Sequence, residues 1–302
     1  MQVSRMELDG AGTPATLVTK ILKCETDLPI PIPIEELARQ LDIVEIKEMT
    51  TGGFEGGLVT DPERSEGFIL VNKDAKKGRR RFTIGHELGH FLLTHHKPPP
   101  DGFHCTRADM RKWTDREKSL AIRMEVEANE FSSLMLMPPP MWQKSLGGLG
   151  DPNIQQVYDL ARQYAVSKEA AARAYAQYHE QAVAMIAVKD GVINRVYRSL
   201  SRFPRMCVQN GSLVPRQSAY FQQRPQGASP SNVFEARAEF WLDSEFGKRL
   251  PDLFEQVAMQ KEGYALIMLW AEPPQEDEDH DPDENRTSKQ RLQERQARWR
   301  GR

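Results

Sequence analysis

Hydrophobic residues recur at helical spacing in several stretches of the chain. Residues 31–42 have apolar positions three or four apart after a run of prolines, which predicts a helix. A second helix is predicted from about residue 80 to about residue 96, and a long amphipathic third helix ends at Pro138. Two further helices are predicted on either side of Ser167, a residue type that caps helix N-termini.

Alternating or short continuous apolar runs predict strands between and after these helices. IVEIKEM, GGLVTD and EGFILVN are bounded by glycine and charge, which indicates three strands of one small sheet. Two later runs flank Asp190-Gly191, a pair that favours a tight hairpin turn. LPDLFEQVAMQ predicts a helix and YALIMLWAE a strand, so the fold class is α+β.

Changes in composition divide the chain into five predicted segments. The last of them is an acidic run followed by a basic run, and it is expected to be disordered because it cannot bury enough apolar surface. The segments are an N-terminal arm 1–28, a main domain 29–150, a helical segment 151–181 with the texture of a helix-turn-helix, a smaller α+β domain 182–272 and the charged tail 273–302.

Composition excludes several functional classes. The 302 residues are 39% hydrophobic and 28% charged with a net charge of -2, so no basic bias attracts nucleic acid. The second helix of the segment 151–181 has only Lys168 and Arg173 as basic residues, and we expect a scaffold or a substrate-docking surface without direct DNA binding. No apolar run approaches the roughly 20 residues of a membrane span. Three cysteines without CxxC spacing and an N-terminus without an apolar leader indicate a cytoplasmic protein.

The sequence His86-Glu87-Leu88-Gly89-His90 has the HExxH spacing of a metal site. On a helix, His86 and His90 lie one turn apart on the same face, so both rings can reach one ion. Glu87 is rotated by roughly 100° and can act as general base for a metal-bound water. Gly85 and Gly89 each cost roughly 1 kcal/mol of helix propensity, which is understandable if another backbone or a substrate must approach closely.

A third ligand is expected on the next long helix, since catalytic zinc usually has three protein ligands. Glu125 and Asn129 are four residues apart, so a carboxylate could ligate while the amide hydrogen-bonds a ligand histidine. Glu127 is the rival ligand and faces nearly the opposite side of the helix, while Glu130 is a further alternative.

Other residues near the motif have either a regulatory role or no role in function. His104 and Cys105 could contact the metal, but we expect them to be incidental members of a surface loop, because no other ligand flanks them. His95 and His96 are predicted to cap the motif helix. An oxyanion donor is left open among three tyrosines: Tyr164, Tyr175 and Tyr178.

The segments RRFTIGHELGHFLLTH and EVEANEFSSLMLMPPP together resemble the ImmA/IrrE family of metallo-endopeptidases, over roughly residues 29–180. The resemblance implies a zincin-like domain of gluzincin type that binds Zn2+. It implies His86, His90 and Glu125 as ligands and Glu87 as base. The departures are serines after Asn-x-Phe and a long stretch between the two helices. The second domain looks like the sensing module that some members carry.

Two functions follow from this resemblance. The first is a zinc endopeptidase that cleaves a helix-turn-helix repressor and thereby derepresses stress-response or mobile-element genes. The alternative is a non-proteolytic regulator, or antirepressor, that binds a repressor and has a structural metal. A structural zinc normally has a closed shell of four ligands. The sequence offers three convincing ones, which favours the enzyme.

Overall fold

The computed structural model describes residues 1–50, 54–97, 103–106, 119–222, 229–244 and 249–272. Its helices are α1 Pro14–Cys24, α2 Ile34–Gln40, α3 Lys77–Leu92, α4 Leu120–Leu136, α5 Pro139–Leu146, α6 Ile154–Gln163, α7 Lys168–Tyr178 and α8 Ala219–Gln222. Its strands are β1 Ile43–Met49, β2 Phe54–Thr60, β3 Gly67–Asn72, β4 Phe103–Thr106, β5 Ala182–Lys189, β6 Val192–Arg198, β7 Phe234–Ala236, β8 Asp252–Met259 and β9 Tyr264–Glu272. The fold is α+β, as predicted.

The first sheet has the strand order β1-β3-β2-β4, and β1 runs parallel to β3 while the other pairs are antiparallel. Three of its strands match the predicted runs, and β4 is an addition. Helices α1 to α4 share one apolar core with this sheet. That core brings the helix with the HExxH motif and the predicted Glu-bearing helix together.

The N-terminal segment contributes a helix for which the sequence analysis predicted no element. Thr13 caps α1 by accepting a hydrogen bond from the backbone N–H of Thr16 at 3.2 Å. Leu17, Val18 and Ile21 are then buried in the core of the first sheet. Helix α1 also contacts α4, so it supports the second helix of the site.

The second sheet has the order β6-β5-β9-β8-β7 and is antiparallel throughout. Asp190 and Gly191 take positive φ angles of 49° and 80° in the predicted hairpin between β5 and β6. Helices α5 to α7 share a core with this sheet. Ser167 caps α7 as predicted, and the alanine-rich face of that helix is buried in this core. This face of α7 is therefore part of the interior.

Two predicted elements are wrong. The stretch LPDLFEQVAMQ contains the strand β8 instead of a helix, because β8 pairs along its whole length with β9 and near its N-terminus with β7. Such pairing overrides the weak helical spacing of its apolar residues. The motif helix ends at Leu92, four residues before His96.

The early end of α3 has a specific cause. The buried guanidinium of Arg64 donates hydrogen bonds to the carbonyls of His90, Phe91 and Leu93 at 2.7, 2.8 and 3.1 Å. These carbonyls lack partners within the helix, and a cation is favoured at that end of the helix dipole. Arg64 therefore caps the helix, so the predicted capping role of His95 and His96 is wrong.

No helix among the described residues combines the length and the apolar character needed to cross a membrane. The predicted disordered tail 273–302 and most of the long stretch between α3 and α4 lie outside the described residues.

Two glycines of α3 permit the close approach of α4. A Cβ on Gly85 would lie 2.7 Å from Oγ and 3.3 Å from Cα of Ser132. A Cβ on Gly89 would lie 3.1 Å from the Phe131 ring and 3.3 Å from Cα of Ala128. The prediction that another backbone approaches at these glycines is therefore confirmed.

We predict that Gly85→Ala destabilises the fold. The new methyl group displaces the Ser132 hydroxyl, which donates to the carbonyl of Phe82 at 2.8 Å, and it forces α3 away from α4. Overpacking costs about 1–3 kcal/mol, which exceeds the roughly 1 kcal/mol that alanine gains in helix propensity. Urea unfolding of the chelator-treated protein measures the change without a contribution from metal.

Gly78→Ala is the matched control on the same helix. Its added Cβ meets neighbours only at 3.4–3.5 Å, which is ordinary contact, so stability should stay the same or rise. Equal unfolding midpoints for Gly85→Ala and the unchanged protein would show that α3 and α4 can accommodate a methyl group between them, and would contradict the prediction.

Candidate metal centre

Helices α3 and α4 bring three predicted ligands to one point. Nε2 of His86 lies 3.1 Å from Nε2 of His90. Oε2 of Glu125 lies 3.4 Å from Nε2 of His86, and its Oε1 lies 3.4 Å from Nε2 of His90. Both rings are fully buried. The carboxylate thus faces both imidazoles at once.

These three donors fit a tetrahedral ion. Metal–nitrogen and metal–oxygen bonds of about 2.0–2.1 Å at tetrahedral angles place neighbouring donor atoms about 3.3 Å apart. The observed separations of 3.1 to 3.4 Å are close to that value. Oε2 of Glu125 is also buried without a hydrogen-bond partner among the described residues. A cation between the donors would satisfy it.

The outer nitrogens of the two rings are held by hydrogen bonds. Nδ1 of His86 lies 3.0 Å from Oδ1 of Asn129, and that amide is fully buried. Nδ1 of His90 lies 2.9 Å from Nδ1 of His96. When each outer nitrogen carries the proton, each Nε2 presents its lone pair to the centre, as a metal ligand must. Asn129 thus has the contact predicted for it.

Glu127, the rival for the third ligand, belongs to a different group. Its Oε2 lies 2.6 Å from Nε2 of His95 and 2.9 Å from Nε2 of His96. Because His96 must accept the proton of His90 at Nδ1, its Nε2 carries a proton and donates to Glu127. The group His95, His96 and Glu127 therefore supports His90 and leaves no lone pair on His96 for a second ion. Sequence analysis missed this role of His96.

Glu87 is fully buried behind the two histidines, and neither of its carboxylate oxygens has a hydrogen-bond partner among the described residues. Burial raises the pKa of Glu87 to about 7, and the nearby Glu125 raises it further, while His86 and the neighbouring thiol of Cys105 oppose the shift. A carboxyl with a pKa near neutrality can both take up and release a proton at pH 7. This is the property that a general base requires.

The ligands have pKa values that differ with their partners. Burial lowers the pKa of His86, but the neighbouring carboxylates of Glu125 and Glu87 outweigh burial, so the pKa is raised. Burial, together with the charges of His86 and His96, lowers the pKa of His90 to about 3. The neighbouring imidazoles of His86 and His90 outweigh burial and hold the pKa of Glu125 well below its usual range. Without metal, a proton therefore belongs on His86.

Cys105 does not lie on a surface loop, so that expectation is wrong. Strand β4 pairs it with Gly56 of β2, and the side chain is 2% exposed. Its Sγ lies 4.0 Å from Nε2 of His90 and 4.0 Å from Oε1 of Glu125. The pairing of β4 with β2 carried no signal in the sequence. The side chain of His104 lies outside the described residues.

Two of the three tyrosines proposed as oxyanion donors have their hydroxyl groups bound elsewhere. The hydroxyl of Tyr164 is 2.8 Å from Oγ of Ser145, and that of Tyr175 donates to Gln156 at 2.5 Å. Both rings belong to the core of the second sheet, and Tyr178 packs against the same core. The contacts of Tyr164 and Tyr175 give neither a place at the candidate metal centre, whereas the role of Tyr178, which lines a cavity with Val126 and Glu130 of α4, stays a prediction.

Comparison with known proteins agrees with this geometry. The sequence profile of Peptidase_M78, described as the IrrE N-terminal-like domain, matches residues 39–175, which include every candidate ligand. This region belongs to the ImmA/IrrE family. Membership makes it a region of metalloprotease type, with a zincin-like α+β fold and candidate ligands for a metal ion.

A curated relative extends the comparison. The chain is 30% identical over 128 residues to the radiation response metalloprotease IrrE of Deinococcus radiodurans. The alignment covers 42% of this chain and 35% of the relative, so the chain matches about a third of the relative's length. Residues of the second sheet beyond 175 lie outside the family match.

We predict that Glu125→Gln and Glu127→Gln weaken zinc binding to different degrees. Loss of a ligand carboxylate should weaken binding by more than about 100-fold, whereas a residue that acts through His96 and His90 should cost about 10–100-fold. Competition of each purified variant with a chromophoric chelator gives both affinities. If Glu127→Gln were the more damaging change, the choice of Glu125 as ligand would be wrong.

We also predict that metal affinity falls as the pH falls below about 7. The raised pKa of His86 keeps a proton on the ring at pH values where a free imidazole is neutral, and metal must displace it. Glu87, with a pKa of about 7, releases a second proton when a cation binds beside it. Each displaced proton changes the affinity by about tenfold per pH unit.

Titration calorimetry at pH 7 in buffers of different ionisation enthalpy counts the released protons. Glu87→Gln should release fewer protons than the unchanged protein, because only the displacement from His86 remains. Affinity that stays constant from pH 6 to pH 8 would contradict the assignment of these two protons.

Proposed function

We propose that this protein is a zinc endopeptidase and that His86, His90 and Glu125 hold the ion. The observation that carries the proposal is the buried carboxylate of Glu87, which has no hydrogen-bond partner among the described residues beside a three-donor site. A purely structural metal site does not require a buried carboxylate without a hydrogen-bond partner, because burying such a group lowers the stability of the fold. Membership of the region in a metalloprotease family supports the same conclusion.

The protein's own residues divide the work of peptide hydrolysis. A bound zinc ion supplies a Lewis acid for the scissile carbonyl and lowers the pKa of water toward about 7. Glu87 accepts the proton of the attacking water and returns it to the leaving amine, which its pKa of about 7 permits. Asn129 and His96 hold the two ligand rings in the required tautomer through their hydrogen bonds.

We propose further that the substrate is a helix-turn-helix repressor and that its cleavage derepresses stress-response or mobile-element genes. The resemblance to the ImmA/IrrE family and the radiation response named for the Deinococcus radiodurans relative support this substrate class. Such a substrate places the reaction in the cytoplasm. The second sheet, which lies beyond the family match, is the part available for sensing a signal.

One observation favours the alternative, a non-proteolytic antirepressor with a structural metal. Cys105 lies close enough to the site to serve as a fourth donor, and four protein ligands are typical of structural zinc. The two functions differ in what they require of Glu87. Hydrolysis needs its carboxylate, whereas sequestration of a repressor does not.

We predict that Glu87→Gln abolishes cleavage while zinc stays bound. Removal of a general base lowers the rate by about 10²–10⁴-fold. The zinc-loaded protein and the variant are each incubated with a lysate of host cells that lack the protein, and new protein N-termini are then labelled and sequenced. The expected result is a set of termini in helix-turn-helix proteins that the variant does not produce.

Each other outcome points to a different conclusion. An absence of termini specific to the unchanged protein would refute the peptidase. Termini confined to proteins without a helix-turn-helix would refute the substrate class alone. If Glu87→Gln still relieves repression in cells, the antirepressor is the function.

A further inference from the structure

Cys105 is a buried side chain at the candidate metal centre that the proposed hydrolysis does not use. Strand β4 holds it in register with Gly56, and its sulfur is 4.0 Å from a donor atom of His90 and 4.0 Å from one of Glu125. The four donor atoms of His86, His90, Cys105 and Glu125 all lie within 4.8 Å of one another. The thiol therefore belongs to a group of four side chains whose donor atoms could bind one metal ion.

The position of the sulfur is close to that of a zinc ligand. A tetrahedral ion with a metal–sulfur bond of about 2.3 Å places the sulfur about 3.6 Å from each nitrogen or oxygen ligand. The separations of 4.0 Å from His90 and Glu125 exceed this value by only about 0.4 Å, and the donor atom of His86 lies within 4.8 Å of the sulfur. A small movement of the side chain thus completes the shell. Thiolate is also a preferred ligand of zinc.

A second observation points to a cation at this place. Both oxygens of Glu87 and Oε2 of Glu125 are buried without a hydrogen-bond partner among the described residues. Negative charge that is buried in this way requires compensation, and a divalent ion supplies it. The thiol faces the same centre as these acids, so an ion that compensates them lies within reach of its sulfur.

We propose that Cys105 is the fourth protein ligand of the resting metal centre. Its thiolate occupies the position that a catalytic zinc keeps open for water, so the resting site is closed and the peptidase is latent. Water enters only after the sulfur leaves the metal. This inference rests on the proposed function for its consequence, whereas the ligation itself can be measured without a substrate.

Cobalt(II) is the probe, because a cobalt-bound thiolate gives a charge-transfer absorption in the near ultraviolet and a tetrahedral site gives visible bands. The full-length protein is stripped of metal and titrated with cobalt. We expect both absorptions in the unchanged protein. Cys105→Ala should lose the near-ultraviolet absorption, retain cobalt through the other three ligands and bind zinc more than about tenfold more weakly.

Cys24→Ala and Cys207→Ala are the matched controls, since these cysteines are half-buried and exposed, respectively. Both should retain the near-ultraviolet absorption. Cys105→Ser, which conserves size, guards against misfolding of the alanine variant and should lose the absorption as well. As a second readout, zinc should slow alkylation of Cys105 by iodoacetamide and leave alkylation of Cys207 unchanged.

The outcomes separate this inference from the proposed function. Visible bands without the near-ultraviolet absorption in the unchanged protein would refute ligation by Cys105 and leave the three-ligand peptidase intact. Persistence of the absorption in Cys105→Ala would also refute it. If the unchanged protein binds no cobalt or zinc, both proposals fail.

Discussion

The close packing of α3 on α4 is the constraint on which the rest of the structure depends. The backbones can approach because Gly85 and Gly89 have no side chains where Ser132, Phe131 and Ala128 lie. At that distance, the carboxylate of one helix spans both imidazoles of the other. The glycines are poor helix formers, yet a better helix former would separate the donors. The two glycines thus lower the intrinsic stability of α3 but allow the close approach that positions the three donors.

Around this contact the polar groups form a connected set. Asn129 holds one ring, and the series from Glu127 through His96 holds the other. Helix α4 therefore supplies a candidate metal ligand, Glu125. Two residues later it supplies Glu127, which supports His90 through His96. Because successive residues point in different directions, one helical turn can serve two histidine groups. Burial of His86, His90, His96 and Asn129 strengthens the electrostatic interactions among them.

The local parts of the site could be predicted from the sequence. HExxH spacing fixes which faces of α3 carry the histidines, and the spacing of Glu125 and Asn129 fixes the facing surface of α4. The hairpin at Asp190-Gly191 could also be predicted, because the preference of this residue pair for a tight turn depends only on neighbouring residues. The exact pairing of β8 was not, since its apolar spacing suits a helix and only its partner strands decide the outcome.

Long-range contacts account for the remaining differences. Cys105 reaches the site through the pairing of β4 with β2, and His96 reaches His90 because the chain turns back after α3. Neither event leaves a pattern along the sequence. An isolated Cys or a His doublet gives no indication of its partner. The fold class and the pair of candidate ligand histidines can thus be predicted from the spacing of residues along the sequence. The groups that support them depend on long-range contacts, which this spacing does not reveal.

Arg64 has a consequence that reaches beyond the end of a helix. Its backbone takes a φ of 55°, and its side chain turns inward from the turn between β2 and β3 to the carbonyls of His90, Phe91 and Leu93. The guanidinium thereby sets where the chain leaves α3 and turns back toward Glu127. A surface turn of the sheet and the orientation of a buried imidazole are mechanically linked through a single side chain. The position of the candidate ligand His90 therefore depends on a residue of that turn.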